Sequence, residues 1–89
     1  MVIHSTAESE YEIFLKYILD YILNNYDFSL IHNEDNSCNY LKIIGIFKID
    51  FEHIMNEIFS KYIGCSEVYS NYQKSDVITR FEKYCLNKI

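Results

Sequence analysis

The side chains able to act as acids, bases, nucleophiles or metal ligands are few and scattered along the chain. Cys38, Cys65 and Cys85 are odd in number, widely spaced and in no paired motif, which argues against a disulfide framework or a zinc site. They read as reduced, partly buried thiols. Glu34 and Asp35 are adjacent carboxylates that raise the idea of a cation site or an acid–base pair. Their setting, Asn33-Glu34-Asp35-Asn36-Ser37, is polar and turn-prone, so they read as solvated loop acids. His32 and His53 have no nucleophile or ligand cluster near them in the sequence and read as surface or cap residues. With no nucleophile–base pair, glycine-rich phosphate loop or metal-ligand cluster, the residue types argue against an enzyme.

Composition limits what can position these groups. Eighty-nine residues are enough for one domain, 1–89, with a single modest core. Forty-nine per cent apolar residues exclude a disordered tail, and no stretch approaches the length of a membrane span, since even residues 40–49 carry Lys42 and Lys48. The start, Met1-Val2-Ile3-His4, lacks the basic region and apolar run of a signal peptide, which points to the cytoplasm. Eight basic residues among thirteen acidic ones give a formal charge of −5, against a role in duplex nucleic-acid binding and in favour of basic partners.

Residues 40–63 organise the chain. From Asp50 onward Phe51, Ile54, Met55, Ile58 and Tyr62 recur at helical spacing, with Glu52, His53, Asn56, Glu57, Ser60 and Lys61 on the opposite face. Asp50 fits an N-cap and Gly64 a helix end. An earlier helix is expected from Ser5-Thr6-Ala7-Glu8, a capping box, to about Tyr26, with Tyr11, Phe14, Leu15, Ile18 and Ile22 inward and Glu12, Lys16 and Asp20 forming a polar stripe. Ile13, Tyr17, Leu19, Tyr21 and Leu23 then exceed what a small monomer can cover: they are either tyrosines flat on the surface or a partner or homodimer face. Residues 27–39 read as a loop pinned by Leu30 and Ile31. Residues 40–49 are β-branched but have no partner strand, so they read as a loop or single turn, bent at Gly45. After an irregular stretch with a short turn near 67–72, Ser75 caps a last helix to about Asn87, with Val77, Ile78, Phe81, Tyr84 and Cys85 inward.

Three sizeable helices, a long first loop and a short irregular stretch describe an all-α bundle that resembles an acyl or peptidyl carrier domain over nearly the whole chain. The family has an aromatic residue, a leucine and then Gly-x-Asp-Ser-Leu opening its second helix, and Tyr40, Ile44, Gly45, Ile46, Phe47, Lys48 and Ile49 fall on those positions. Ile54, Ile58 and Tyr62 match its apolar positions on helix two, and Asp76-Val77, Phe81 and Tyr84 match its last helix. The resemblance implies three main helices plus one short one. It departs where the family's chemistry lies, because Lys48 stands at the serine that phosphopantetheine esterifies and Phe47 at the preceding aspartate. No phosphopantetheine arm is therefore expected.

Two function classes follow. One is a carrier-like domain without an arm, acting by protein–protein interaction in a fatty-acid, polyketide or nonribosomal-peptide system. Lys48, Ile49, Glu52, His53, Asn56 and Glu57, with Tyr17 and Tyr21 of the first helix, would then meet the partner. The other is a small acidic helical inhibitor of the immunity or antitoxin kind that covers a basic enzyme surface.

Overall fold

The computed structural model describes residues 2–61 and 73–89, with residues 2–10 described by their backbone alone. The described residues form five helices and no strand, which makes the molecule a small all-α bundle. Helix α1 spans Val2–Asn25, α2 Phe28–Ile31, α3 Tyr40–Ile49, α4 Phe51–Lys61 and α5 Lys74–Leu86. Helix α1, at 24 residues, is the longest described helix in a body measuring 42 × 27 × 20 Å. No described helix is long and apolar enough to cross a membrane.

The ends of α1 follow from local chemistry. Val2-Ile3-His4 holds neither glycine nor proline, so the helix runs back to Val2 and Ser5 lies within its first turns instead of capping it. At the other end Asn25 donates from Nδ2 to the Tyr21 carbonyl at 2.8 Å, satisfying one of the acceptors a helix end leaves open. Tyr11, Phe14, Leu15, Ile18 and Ile22 are buried as their spacing requires. Leu19 and Tyr21 are buried too, which removes most of the expected excess of apolar surface. Ile13 stays exposed, and Tyr17 and Leu23 pack half-buried against the core.

Residues 27–39 are more ordered than their composition suggests. Phe28–Ile31 close one helical turn, α2, which buries Ile31. Leu30 points outward and does not pin the loop, because a single turn presents only one side chain inward. His32 and Cys38 then face each other in an isolated antiparallel bridge, framed by Asn33 N–H to Ser37 O and Asn39 N–H to Ile31 O, both 2.8 Å. Asn36 turns the chain between them at φ 70°, a left-handed conformation that asparagine tolerates.

The largest departure from the expected fold is residues 40–49, which form a ten-residue helix, α3, and not a loop. Asn39 caps it by accepting from the Lys42 N–H at 3.1 Å. Gly45 sits mid-helix without positive φ, so it bends nothing. Tertiary burial overrides the low helix propensity of the isoleucines and the glycine. Ile43, Ile44 and Phe47 are buried, and α3 packs on α1, α2, α4 and α5 alike. It is the hub of the bundle, and it raises the number of sizeable helices among the described residues from the expected three to four.

Asp50 joins α3 to α4. Its N–H donates to Ile46 O and its carbonyl accepts from Ile54 N–H, each at 2.9 Å, so one residue ends one helix and begins the next. Its carboxylate accepts from the Tyr26 hydroxyl at 2.8 Å, which ties the junction to the end of α1. On α4, Phe51, Ile54, Met55 and Ile58 are buried as expected. Phe47, Phe51 and Phe81 bring α3, α4 and α5 together, with ring centroids 5.1 Å and 4.7 Å apart. Helix α5 begins one residue before Ser75, at Lys74, because the extended Gln73 offers its carbonyl to Asp76 and Val77 N–H at 3.0 Å. Val77, Phe81 and Cys85 are its buried face, with Ile78 and Tyr84 half-buried beside them. The positions expected of Tyr62, Gly64, Cys65 and the turn near 67–72 lie outside the described residues.

Candidate binding surface

Lys48 lies in the last turn of α3, where a cation meets the negative end of the helix dipole, and not at the start of a helix. Its Nζ is 3.3 Å from Glu82 Oε2 on α5. Phe47, the residue before it, is wholly buried, so the position that corresponds to the carrier aspartate is a core position here. Ile49 is 84% exposed. It shares one side of α3 with Leu41, 68% exposed, and with Gly45, which falls midway at four-residue spacing. A methyl group added at Gly45 would meet nothing within 4 Å, so the strip between the two aliphatic side chains is open.

The remaining expected partner residues divide into two groups. Glu52 and Asn56 are exposed on α4, and Glu52 lies 3.6 Å from Lys74 Nζ. His53, also exposed, and Glu57, half-buried, come together with Tyr21 where α1 packs on α4. His53 Nε2 and the Tyr21 hydroxyl are 3.3 Å apart, and the Lys61 ammonium stands 5.5 Å over the Tyr21 ring. Burial, then the negative charges of Glu57 and Asp50, hold the Tyr21 hydroxyl above the ordinary tyrosine range. At 8% exposure Tyr21 is part of the core and not of an outer face. Tyr17 is half-buried against the core, and Ile13 is the exposed one of the five apolar residues expected in excess on helix one.

In the loop, Asp35 is engaged internally. It accepts from Ser37 Oγ at 2.6 Å and from Ser37 N–H at 3.0 Å, which together hold its carboxyl below the usual carboxylate range. Among the described residues no three His, Cys, Asp or Glu side chains lie close enough together to hold a metal ion. An open cleft of about 410 Å³ runs beside this loop, lined among others by Phe28, His32, Asn36 and Lys42.

The structure also joins two residues that sequence spacing kept apart. His32 Nε2 is 3.9 Å from Cys38 Sγ. The signal available in the sequence was the turn chemistry of Asn33 to Ser37, which closes a hairpin and brings its two flanking residues face to face. Comparison with protein-family models, curated proteins and solved structures found no match.

Proposed function

We propose that this chain works by binding another protein, with no phosphopantetheine arm of its own, and that the partner docks on the outer side of α3. The observation that carries this reading is the aliphatic strip of Leu41 and Ile49 across the open Gly45, on the helix that organises the core. Two large exposed aliphatic residues on one face of a rigid helix are a usual helix-in-groove or helix-on-helix anchor. Lys48 and Glu52, exposed and close to Ile49 in the chain, would supply a polar rim. The carrier-like version of the reading draws on spacing along the chain, and it places a carrier-recognising enzyme of fatty-acid, polyketide or nonribosomal-peptide synthesis on this face.

A second reading, the acidic inhibitor, is favoured by the formal charge of −5. Salt separates the two. Contact through carboxylates weakens as salt screens it, whereas aliphatic docking holds. The test is affinity capture from the source cells with wild-type protein and with Leu41→Asp/Ile49→Asp, at low and at high salt. The reading expects a protein bound by the wild type at both salts and lost with the variant, while both melt alike. Binding that survives in the variant refutes docking on α3, and if it also vanishes at high salt it supports the inhibitor. A separate check is mass measurement after incubation with coenzyme A and a broad-specificity phosphopantetheinyl transferase, which should leave the wild type unchanged.

A further inference from the structure

The hairpin after α2 places an imidazole against a thiol by backbone geometry. His32 and Cys38 are the non-hydrogen-bonded pair of the bridge, flanked by Asn33 N–H to Ser37 O and Asn39 N–H to Ile31 O. In such a pair the two side chains approach most closely. The loop between them is fastened by side chains as well: Asn33 Nδ2 donates to Ser37 Oγ at 3.0 Å and Asn39 Nδ2 to Asn33 Oδ1 at 2.8 Å.

The orientation of the ring follows from its other contacts. The imidazole stacks on Phe28 with centroids 3.7 Å apart and planes 8° from parallel. Nδ1 is 3.1 Å from the Phe28 carbonyl, which can only accept, so in the neutral ring the proton sits on Nδ1. Nε2 is then left as a lone pair, and it is the atom that faces Cys38 Sγ at 3.9 Å. The hydrogen bond therefore runs from thiol to imidazole, and the base is oriented by a third group, as an activated nucleophile requires. Tyr40 of α3, half-buried against the core, interacts electrostatically with Cys38. Cys85 of α5 and Lys88, two residues past the end of that helix, act electrostatically on the Tyr40 hydroxyl, and Asp35, in the hairpin, is occupied by Ser37. Cys38 is half-buried and so open to small reagents, whereas Cys85 is wholly buried.

We propose that Cys38 is a modification site, a thiol activated by His32 that takes small uncharged electrophiles at sulfur. In the step, sulfur forms a bond to the electrophilic atom as the thiol proton passes to His32 Nε2. The bond to the leaving group breaks with its electron pair: iodide leaves iodoacetamide, and hydroxide leaves a peroxide, giving the sulfenic acid and then water with the proton from His32. In the alkylation the imidazolium gives its proton to solvent, and in both cases the imidazole returns to its neutral form.

The site is separate from the α3 face, and its test does not depend on a partner. The native protein is alkylated with iodoacetamide, and the rate at each cysteine is followed by peptide mass spectrometry between pH 6 and pH 8, beside a small-molecule thiol. An unassisted thiol in this range loses about tenfold in rate per pH unit as its thiolate fraction falls. Cys38 is expected to react at least tenfold faster than the reference at pH 7 and to lose clearly less than tenfold from pH 7 to pH 6. His32→Ala and His32→Gln should slow it about tenfold and restore the steep profile, with far-UV circular dichroism confirming the fold. A wild-type rate no faster than the reference, or a tenfold loss per unit, overturns the proposal. So does an unchanged rate and profile in both folded variants. If either variant unfolds, the wild-type rate and profile still decide.

Discussion

Lys48 and Phe47 are adjacent, and the structure gives them opposite energetic weight. The Lys48–Glu82 pair is 3.3 Å long, with side chains 47% and 40% exposed, and pairs of this kind contribute between about 0 and 1 kcal/mol. Lys48→Met is therefore expected to change stability by less than about 1 kcal/mol in denaturant melts. Phe47 lies without solvent contact between Phe51 and Phe81. Truncating a buried phenylalanine costs roughly 3–5 kcal/mol, and an unpaired carboxylate in its place adds a desolvation penalty. Phe47→Asp should leave the protein largely unfolded by circular dichroism, and a folded variant would show that the three rings do not form the core. The consequence reaches the carrier resemblance. The acid of that motif cannot be restored in this chain without breaking its centre, so only Lys48→Ser is a usable probe of the serine position.

At the level of elements, α4 was legible because its apolar and polar residues alternate cleanly at helical spacing, and Ile54 sits in the middle of the buried face. Ile54→Ala should accordingly cost about 2–5 kcal/mol, and a loss below about half a kcal/mol would put the residue on the wrong face. Helix α3 carried the same signal in weaker form. Tyr40, Ile43, Ile44 and Phe47 follow the i, i+3, i+4, i+7 spacing and Asn39 precedes them as a cap. Isoleucine-rich composition and Gly45 masked it, since both are usual marks of strands and turns. A helix packed by four neighbours is apolar on most sides, and its periodicity is faint for that reason. The pairing of His32 with Cys38 was hidden differently, by a hairpin whose closing bonds involve backbone atoms that residue types do not report. Gly45 offers a direct check on α3. In a helix with open space above it, alanine loses less backbone entropy than glycine, so Gly45→Ala should stabilise the protein by about 0.5–1 kcal/mol. Destabilisation would return the segment to the bent loop that its composition suggests.

Among the described residues the departures from ordinary titration lie chiefly on the alkaline side, at separate points of the bundle. Burial raises the Tyr21, Tyr26 and Tyr40 hydroxyls above the tyrosine value of 10.0. At Tyr26 the hydrogen bond to Asp50 and that residue's negative charge add to the effect. Burial also pushes the Cys85 thiol from 9.0 up to about 12, against a smaller opposing effect of Lys88. In each case the folded chain holds its proton more tightly than the unfolded chain does. The stability these groups contribute is therefore complete below the unfolded values of 9.0 and 10.0, and it is lost as pH rises toward and through the folded ones. Urea melts should give similar midpoints at pH 7 and pH 8, then progressively lower ones from about pH 9 to pH 12. Tyr26→Phe removes one titrating proton together with the bond to Asp50. It should lower stability at pH 7 by about 1.5–3 kcal/mol, the usual worth of a hydrogen bond to a charged acceptor. Its alkaline decline should be shallower than that of the wild type, so the two curves converge at high pH. Parallel curves would mean that Tyr26 does not hold its proton through Asp50, and that the clasp between the end of α1 and the junction of α3 with α4 is absent.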